Sequence, residues 1–374
     1  SAATIAHENM GYFVLISTAE SVLKLIAVIL IAFISLDSLI VYGAGLFLIS
    51  ILVLISYIVI GHLKYAECRY KKITDKNLFK ELLSFSGWSL FSSVAAVGMS
   101  QINTILTNIY FGPLVNAARA ISFQFNQAVN SFASSFLMAA RPLMTKSYAE
   151  ESYLYLNNIF NLSNKFIYYC LLIIFLPIMF EMNAILSFWL NQTDQQMVLF
   201  SRLMLIYALI MSLNNPIGII MQATGELKEY SIKVELFTLL CVPATFILFE
   251  YGYPAYTTYI VMIISTIAAH VVRLICLKKY YKPFSYSEYI NSFVLPAFAV
   301  TFITSFFVFM VQSCVTNSTL RISAVIGSSI VSVLILVLLI GLSKTEKNVL
   351  YQRISIIINK SGLFSLMPPI LQLR

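Results

Sequence analysis

Residues 108–147, NIYFGPLVNAARAISFQFNQAVNSFASSFLMAARPLMTKS, thread four polar side chains through an otherwise apolar helix. Asn116, Arg119, Asn126 and Asn130 are spaced three, seven and four residues apart. On a 3.6-residue period they share one face. Side chains that want water, set at membrane depth, must face a bundle interior or a water-filled cavity. The stretch therefore reads as the lining of a polar pathway through a membrane protein.

The rest of the chain fits that setting. Its 374 residues are 59% hydrophobic, 14% aromatic and 11% charged, with a mean hydropathy of +0.85; a soluble domain carries roughly 25% charged residues. About ten apolar runs reach the ~20 residues that cross a bilayer as a helix. They lie near 12–35, 39–61, 83–110, 114–140, 159–180, 196–221, 231–249, 253–275, 291–312 and 322–342. Lipid-exposed backbone must be bonded within its own segment, and the alternation of a membrane barrel is missing. The expected fold is all-α, a polytopic membrane helix bundle. Pro177, Pro216, Pro243 and Pro296 fall in or beside spans, where each removes a backbone donor. The Asn214-Asn215-Pro216 run predicts a break lined by polar groups.

The formal charge of +8 is distributed as a topology signal and not as a nucleic-acid surface. Alternate connections collect most of the 24 Lys and Arg: the loop at 62–82, then Arg141, Lys146 and Lys165, then Lys228 and Lys233, then Arg273, Lys278, Lys279 and Lys282, then the tail. By the positive-inside pattern those connections and both ends of the chain face the cytoplasm. The connection at 181–196, with Trp189, has room for an interfacial turn only. The segment after 343 mixes basic and apolar residues as an interfacial amphipathic helix does. The five cysteines lack ligand-like spacing, and His7, His62 and His270 stand far apart, so no metal or cofactor is expected. The sequons at Asn161, Asn191 and Asn317 read as structural.

Charged residues inside spans are the candidates for chemistry. Glu20 and Lys24 stand four apart, acid first, as a self-neutralising pair. Alternatively Lys24 faces a cavity and attracts an anionic cargo, with Glu20 taking a coupling proton or sodium ion. Arg119 has no acid within two turns of its own helix. It can snorkel outward or hold a phosphate with its planar guanidinium. The preceding run adds Ser100, Gln101, Thr104, Thr107 and Asn108 as a second polar strip, although small and amide side chains also join membrane helices. Lys24, Arg119 and Glu20 are the buried charges on this reading. No GxSxG, Walker A or HExxH pattern occurs, so neither catalysis nor ATP hydrolysis is expected.

YFGPLVNAARAISFQFNQAVNSFASSF followed by RPLMTKSYA resembles the signature of bacterial polysaccharide and O-antigen flippases, in the superfamily of multidrug and oligosaccharidyl-lipid exporters. AHENM at 6–10, FSGWSLF at 85–91 and QATGELKEY at 222–230 resemble further blocks in the same order. The resemblance implies two six-helix lobes about a central cavity, with two added helices. On that pattern 1–61 would end the first lobe, which lacks about four starting helices. The cytoplasmic loop at 62–82 follows, then a second lobe over 83–282, two added helices over 283–343 and a cytoplasmic tail over 344–374. Arg141 departs from the family's usual amide or small residue before the proline. The implied function is alternating-access translocation of an undecaprenyl-diphosphate-linked oligosaccharide across the cytoplasmic (inner) membrane, for lipopolysaccharide O-antigen or other surface polysaccharide. Asn116, Arg119, Asn126, Asn130, Gln101, Asn108 and Lys24 would contact the cargo and Glu20 the coupling ion. Its partners would be the glycolipid, membrane lipids, the polymerase and other assembly proteins. A multidrug exporter, which favours acidic cavity residues, is the near alternative. A membrane glycan polymerase or ligase is the distant one, since it needs a large outward catalytic loop.

Overall fold

A computed structural model describes residues 10–31, 37–68, 75–191, 194–343 and 346–348. Most of AHENM, the third residue of the Asn191 sequon and nearly all of the 344–374 tail lie outside the described residues. The described secondary structure is helical throughout, with no strand among those residues. Among the described residues nine helical stretches are long and apolar enough to cross a membrane, and one of them needs dividing.

That one is α3. The chain opens with α1 (Met10–Ile31) and α2 (Ser38–Lys64), then α3 runs Lys76–Ala149, 74 residues. At 1.5 Å per residue a straight helix of that length would extend about 110 Å, against a hydrocarbon core of about 30 Å. It is not straight. Gly112 has φ 79 and ψ 179, a conformation only glycine adopts readily. Pro113 explains half of this, because its ring keeps the preceding residue out of the α region. With no N–H of its own, Pro113 then fits the first turn of a new helix. The FGP triplet thus splits the run where the sequence placed the gap between 83–110 and 114–140, and nine stretches become ten.

The chain forms two compact units, 1–84 and 85–374. In the first, α1 packs along α2, with Ile16 and Ile49 buried and Gly45 close to the Ala27 Cβ. Leu15, Leu25, Phe47 and Leu54 stay exposed, as lipid-facing side chains do. The second unit holds most of α3 and then α4 (Tyr153–Phe180), α5 (Met182–Leu190), α6 (Gln195–Ser212), α7 (Asn214–Thr224), α8 (Leu227–Leu239), α9 (Cys241–Glu250), α10 (Thr257–Tyr280), α11 (Tyr286–Tyr289), α12 (Leu295–Cys314) and α13 (Ser318–Leu336). Prolines punctuate it. Pro216 cannot donate to Ser212, nor Pro243 to Leu239, and those are the last residues of α6 and α8. Pro296 lies in the first turn of α12. Pro177, by contrast, sits within α4. The expected polar break is built from Asn214, whose Oδ1 lies 2.7 Å from His270 Nδ1.

Two cores result. The larger gathers the α3 face from Val129 to Met144 with α4, α6, α7 and α12. The smaller joins Met99, Ala118, Phe200, Met204, Tyr207, Cys241, Tyr259 and Met262, from both limbs of α3 and from α6, α9 and α10. α12 and α13 pack on each other and on α4, while Phe298, Phe302 and Phe306 remain exposed. The interfacial turn around Trp189 is the short helix α5, stopped by Asn191 in the left-handed region. Asn317 caps α13 by accepting from Thr319 N and Leu320 N.

Two ion pairs pin the ends of this unit. Glu181, 2% exposed, accepts from Arg321 Nε at 2.9 Å and from Gln312 Nε2 at 3.2 Å, tying α12 and α13 to the end of α4. Buried Lys165 donates to Glu346 Oε2 at 2.7 Å. Burial alone would raise the Glu346 carboxyl, but Lys165 and Ser343 outweigh it and hold it below the ordinary carboxylate range.

Two outcomes follow. Gly112→Ala should destabilise the protein by about 1–3 kcal/mol, the cost of a side chain at such backbone angles. Gly98→Ala, at a helical glycine with open space around it, should be neutral or mildly stabilising; thermal melts in detergent compare the two. For Glu346 the depressed pKa means that its stabilising contribution is complete above the unfolded carboxylate pKa and is lost as pH falls through the folded value. Labelling of a cysteine introduced at Asn348 should therefore rise on acidification, and Glu346→Gln should remove that pH dependence.

Candidate functional site

Arg119 is the largest of the fully buried side chains among the described residues, at 1% exposure. On one straight helix, residues 15 apart would be separated by about 22 Å, yet Arg119 Nε donates to Thr104 Oγ1 at 3.2 Å. Its Nη2 reaches the Ser100 carbonyl at 3.5 Å. The limbs of α3 therefore fold back on each other about the FGP turn, with Arg119 bridging them. The guanidinium carbon lies 4.9 Å from the Phe123 ring centre and 5.5 Å from that of Tyr259. An arginine at membrane depth costs about 2.5–3.5 kcal/mol on insertion scales. Desolvated cation–π contacts of about 2 kcal/mol each offset it, so Arg119 is held with no carboxylate partner among the described residues, although its buried Nη1 has no hydrogen-bond partner there. Ser122 Oγ lies 2.8 Å from the Tyr259 hydroxyl, Asn103 Nδ2 lies 3.5 Å from Cys241 Sγ, and Tyr110 donates to Glu250. The hairpin is thereby tied to α9 and α10.

Beside this brace lies a cavity of about 270 Å³ in the second unit. One wall comes from α3 with Ser100, Phe123 and Asn126; the others bring Tyr207 from α6, Glu235 and Thr238 from α8, and Thr266 and Arg273 from α10. Thr266 and Arg273 are seven residues apart, two helical turns on one face. Glu235 is buried with Ser92 and Thr238 beside its carboxylate. Arg273 is half-buried and its Nη1 has no hydrogen-bond partner among the described residues. A carboxylate and a guanidinium thus look into one space without forming a direct ion pair.

The residues singled out by spacing divide. Asn126 lines the cavity, and Asn130 Nδ2 donates to its Oδ1 at 2.8 Å. Asn116 turns inward with a buried, unpartnered Oδ1. Arg119 stands behind Phe123 and is not among the cavity-lining residues. Gln101 and Asn108 are exposed, and Asn103 and Thr107 take the buried face of the first limb in their place. In the first unit Lys24 and Glu20 pair at 2.6 Å, with 47% and 33% of their side chains exposed. They are therefore not buried charges, and Arg119, Lys165, Glu181 and Glu235 are. Two expectations need correction. Arg273 belongs to a helix wall and not to a basic connection, and the cavity does hold an acid, Glu235. Thr266 and Arg273 at a seven-residue spacing could have shown the first; a lone Glu in the apolar run 231–249 could have shown the second. No group of three His, Cys, Asp or Glu that could hold a metal forms among the described residues.

Arg119→Ala should lower the melting temperature and the amount of inserted protein, with a loss of about 1.5–3 kcal/mol for each charge-assisted hydrogen bond removed. Arg119→Lys should restore little, since an ammonium lacks the planar fork and the ring stacking. Wild-type abundance in the Ala variant would remove the bracing role.

Residues 4–148 match the family model described as "Polysaccharide biosynthesis protein". No curated protein sequence matches the chain at a significant level. Among solved structures the chain is similar to "Lipid II flippase MurJ, inward closed conformation", with a TM-score of 0.57 and 17% identity. The match covers 84% of this chain and 65% of that one, so this chain spans less than two thirds of the flippase it resembles. Over 4–148 the chain carries the sequence pattern of the polysaccharide biosynthesis proteins, and its helices share the fold of the lipid II flippase structure.

Proposed function

We propose that the chain translocates a lipid-linked oligosaccharide, carried on undecaprenyl diphosphate, across the bacterial cytoplasmic (inner) membrane by alternating access. The product would serve O-antigen, lipopolysaccharide or related surface polysaccharide. The observation that carries this reading is the polar cavity among membrane-spanning helices, whose groups are costly there unless they serve a passing polar ligand. Asn126 is assigned to the cargo path. Lys24 is kept as a cationic contact for the diphosphate and Glu20 as the place of the coupling ion, supported by their partial exposure. The polymerase and other assembly proteins are its proposed partners. The basic connections and the C-terminus face the cytoplasm on this proposal.

Glu235 favours one competitor. An acid in the cavity suits an exporter of cationic drugs, so the test must separate the two. Proteoliposomes holding the protein should accelerate the movement of a fluorescent undecaprenyl-diphosphate oligosaccharide between leaflets, relative to protein-free vesicles, and leave ethidium flux unchanged. Dye flux without glycolipid movement would hand the function to the drug exporter. Tags at residue 75 and at the C-terminus should report cytoplasm, and a tag at residue 192 the outside. An external signal at residue 75 would overturn the orientation.

A further inference from the structure

We infer that the cavity bounded by Phe123, Asn126, Tyr207, Glu235, Thr266 and Arg273 is a subsite for one neutral pyranose ring, so that the chain reads a single sugar of its cargo there and holds the diphosphate elsewhere. This rests on the proposal that the cargo is a glycolipid.

Size comes first. A space of about 270 Å³ is just under the ~300 Å³ at which ligand pockets begin. One sugar ring fits. Charge narrows the ligand further. Glu235 and Arg273 both face the space, so the site is neutral overall. A diphosphate drawn to Arg273 would be forced against a buried carboxylate, and like charges in a desolvated site repel strongly. An organic cation drawn to Glu235 meets Arg273 in the same way. A polyol has neither conflict. Its hydroxyls donate to the carboxylate and accept from the guanidinium at once, and Arg273, whose guanidinium also bonds Tyr230, keeps Nη1 as a buried donor with no partner among the described residues.

The remaining walls agree. The Asn126 oxygen is taken by Asn130, which leaves its amide hydrogens to donate to a ligand oxygen. Tyr207 and Thr266 add hydroxyls from α6 and α10. The Phe123 ring offers an apolar surface for the C–H face of a pyranose, and Arg119, 4.9 Å behind it, holds the ring in place. A few convergent polar groups on a mostly apolar wall are the usual composition of a small-ligand pocket.

The test is saturation-transfer NMR on the full chain in nanodiscs, with methyl pyranosides of glucose, galactose, mannose and N-acetylglucosamine as probes and inorganic pyrophosphate as competitor. At least one neutral pyranoside should bind saturably, pyrophosphate should not displace it, and Glu235→Gln and Arg273→Gln should each weaken it at least tenfold. Should those variants fail to accumulate, Thr266→Val and Asn126→Ala carry the comparison, with binding weakened at least threefold. No saturable pyranoside binding, displacement by pyrophosphate, or wild-type affinity in the variants would overturn the subsite. Glycolipid translocation on the same preparation separates this inference from the one beneath it. Translocation without pyranoside binding sinks the subsite and leaves the function; pyranoside binding without translocation does the reverse.

Discussion

The second unit depends on one backbone constraint, the fold-back of α3 at Gly112-Pro113. A helix of 74 residues has no place in a bilayer unless it divides, and two local rules divide it. Proline excludes the α conformation from the residue before it, and only glycine then takes a positive φ with an extended ψ at little cost. The turn brings Ser100 and Thr104 opposite Arg119, and the resulting hairpin supplies Met99 and Ala118 to the smaller core. Remove the turn and the brace, the core and one wall of the cavity lose their geometry together.

Charge placement follows a second rule, that a buried ion must be met by something. Glu181 is met by Arg321 and Lys165 by Glu346, and these pairs fasten α13 and the segment after it to α4. Arg119 is met by aromatic faces and two oxygens. Glu235 and Arg273 are met by neutral neighbours, Ser92 and Thr238 for the carboxylate and Tyr230 for the guanidinium, and both line one cavity. A pair held apart in a cavity keeps hydrogen-bonding capacity that a closed pair would consume. That spare capacity is what the proposed sugar subsite would use.

The fold was legible because it rests on sums over many residues. Hydropathy over ~20-residue windows located the spans, and the gap between 83–110 and 114–140 fell on the division of α3 at Gly112. The candidate site was legible only in part, because side-chain direction on a helix depends on which neighbour packs where. Asn126 was found by spacing, and it does line the cavity. Arg119 was found by its cost, and cost alone cannot tell a ligand contact from a brace between limbs. Gln101 and Asn108 share a helix with Asn103 and Thr107, and only packing against α9 and α10 determined which pair turned inward. Arg273 was hidden by its closeness to Lys278 and Lys279, whose charges belong to the topology signal.

The two halves of the cavity stand in different relation to the family pattern. Gly112, Pro113, Arg119, Phe123 and Asn126 lie within the matched residues 4–148, and they build the hairpin and its aromatic wall. Glu235, Thr266 and Arg273 lie beyond it, on α8 and α10. The wall must be rigid for any cargo, whereas the groups facing it need only suit one. A hairpin braced from behind by Arg119 can therefore serve different polar contents, provided each carboxylate or guanidinium brought in is balanced across the same space. On the proposed function, a change of sugar would be accommodated on α8 and α10 with the α3 hairpin left as it is.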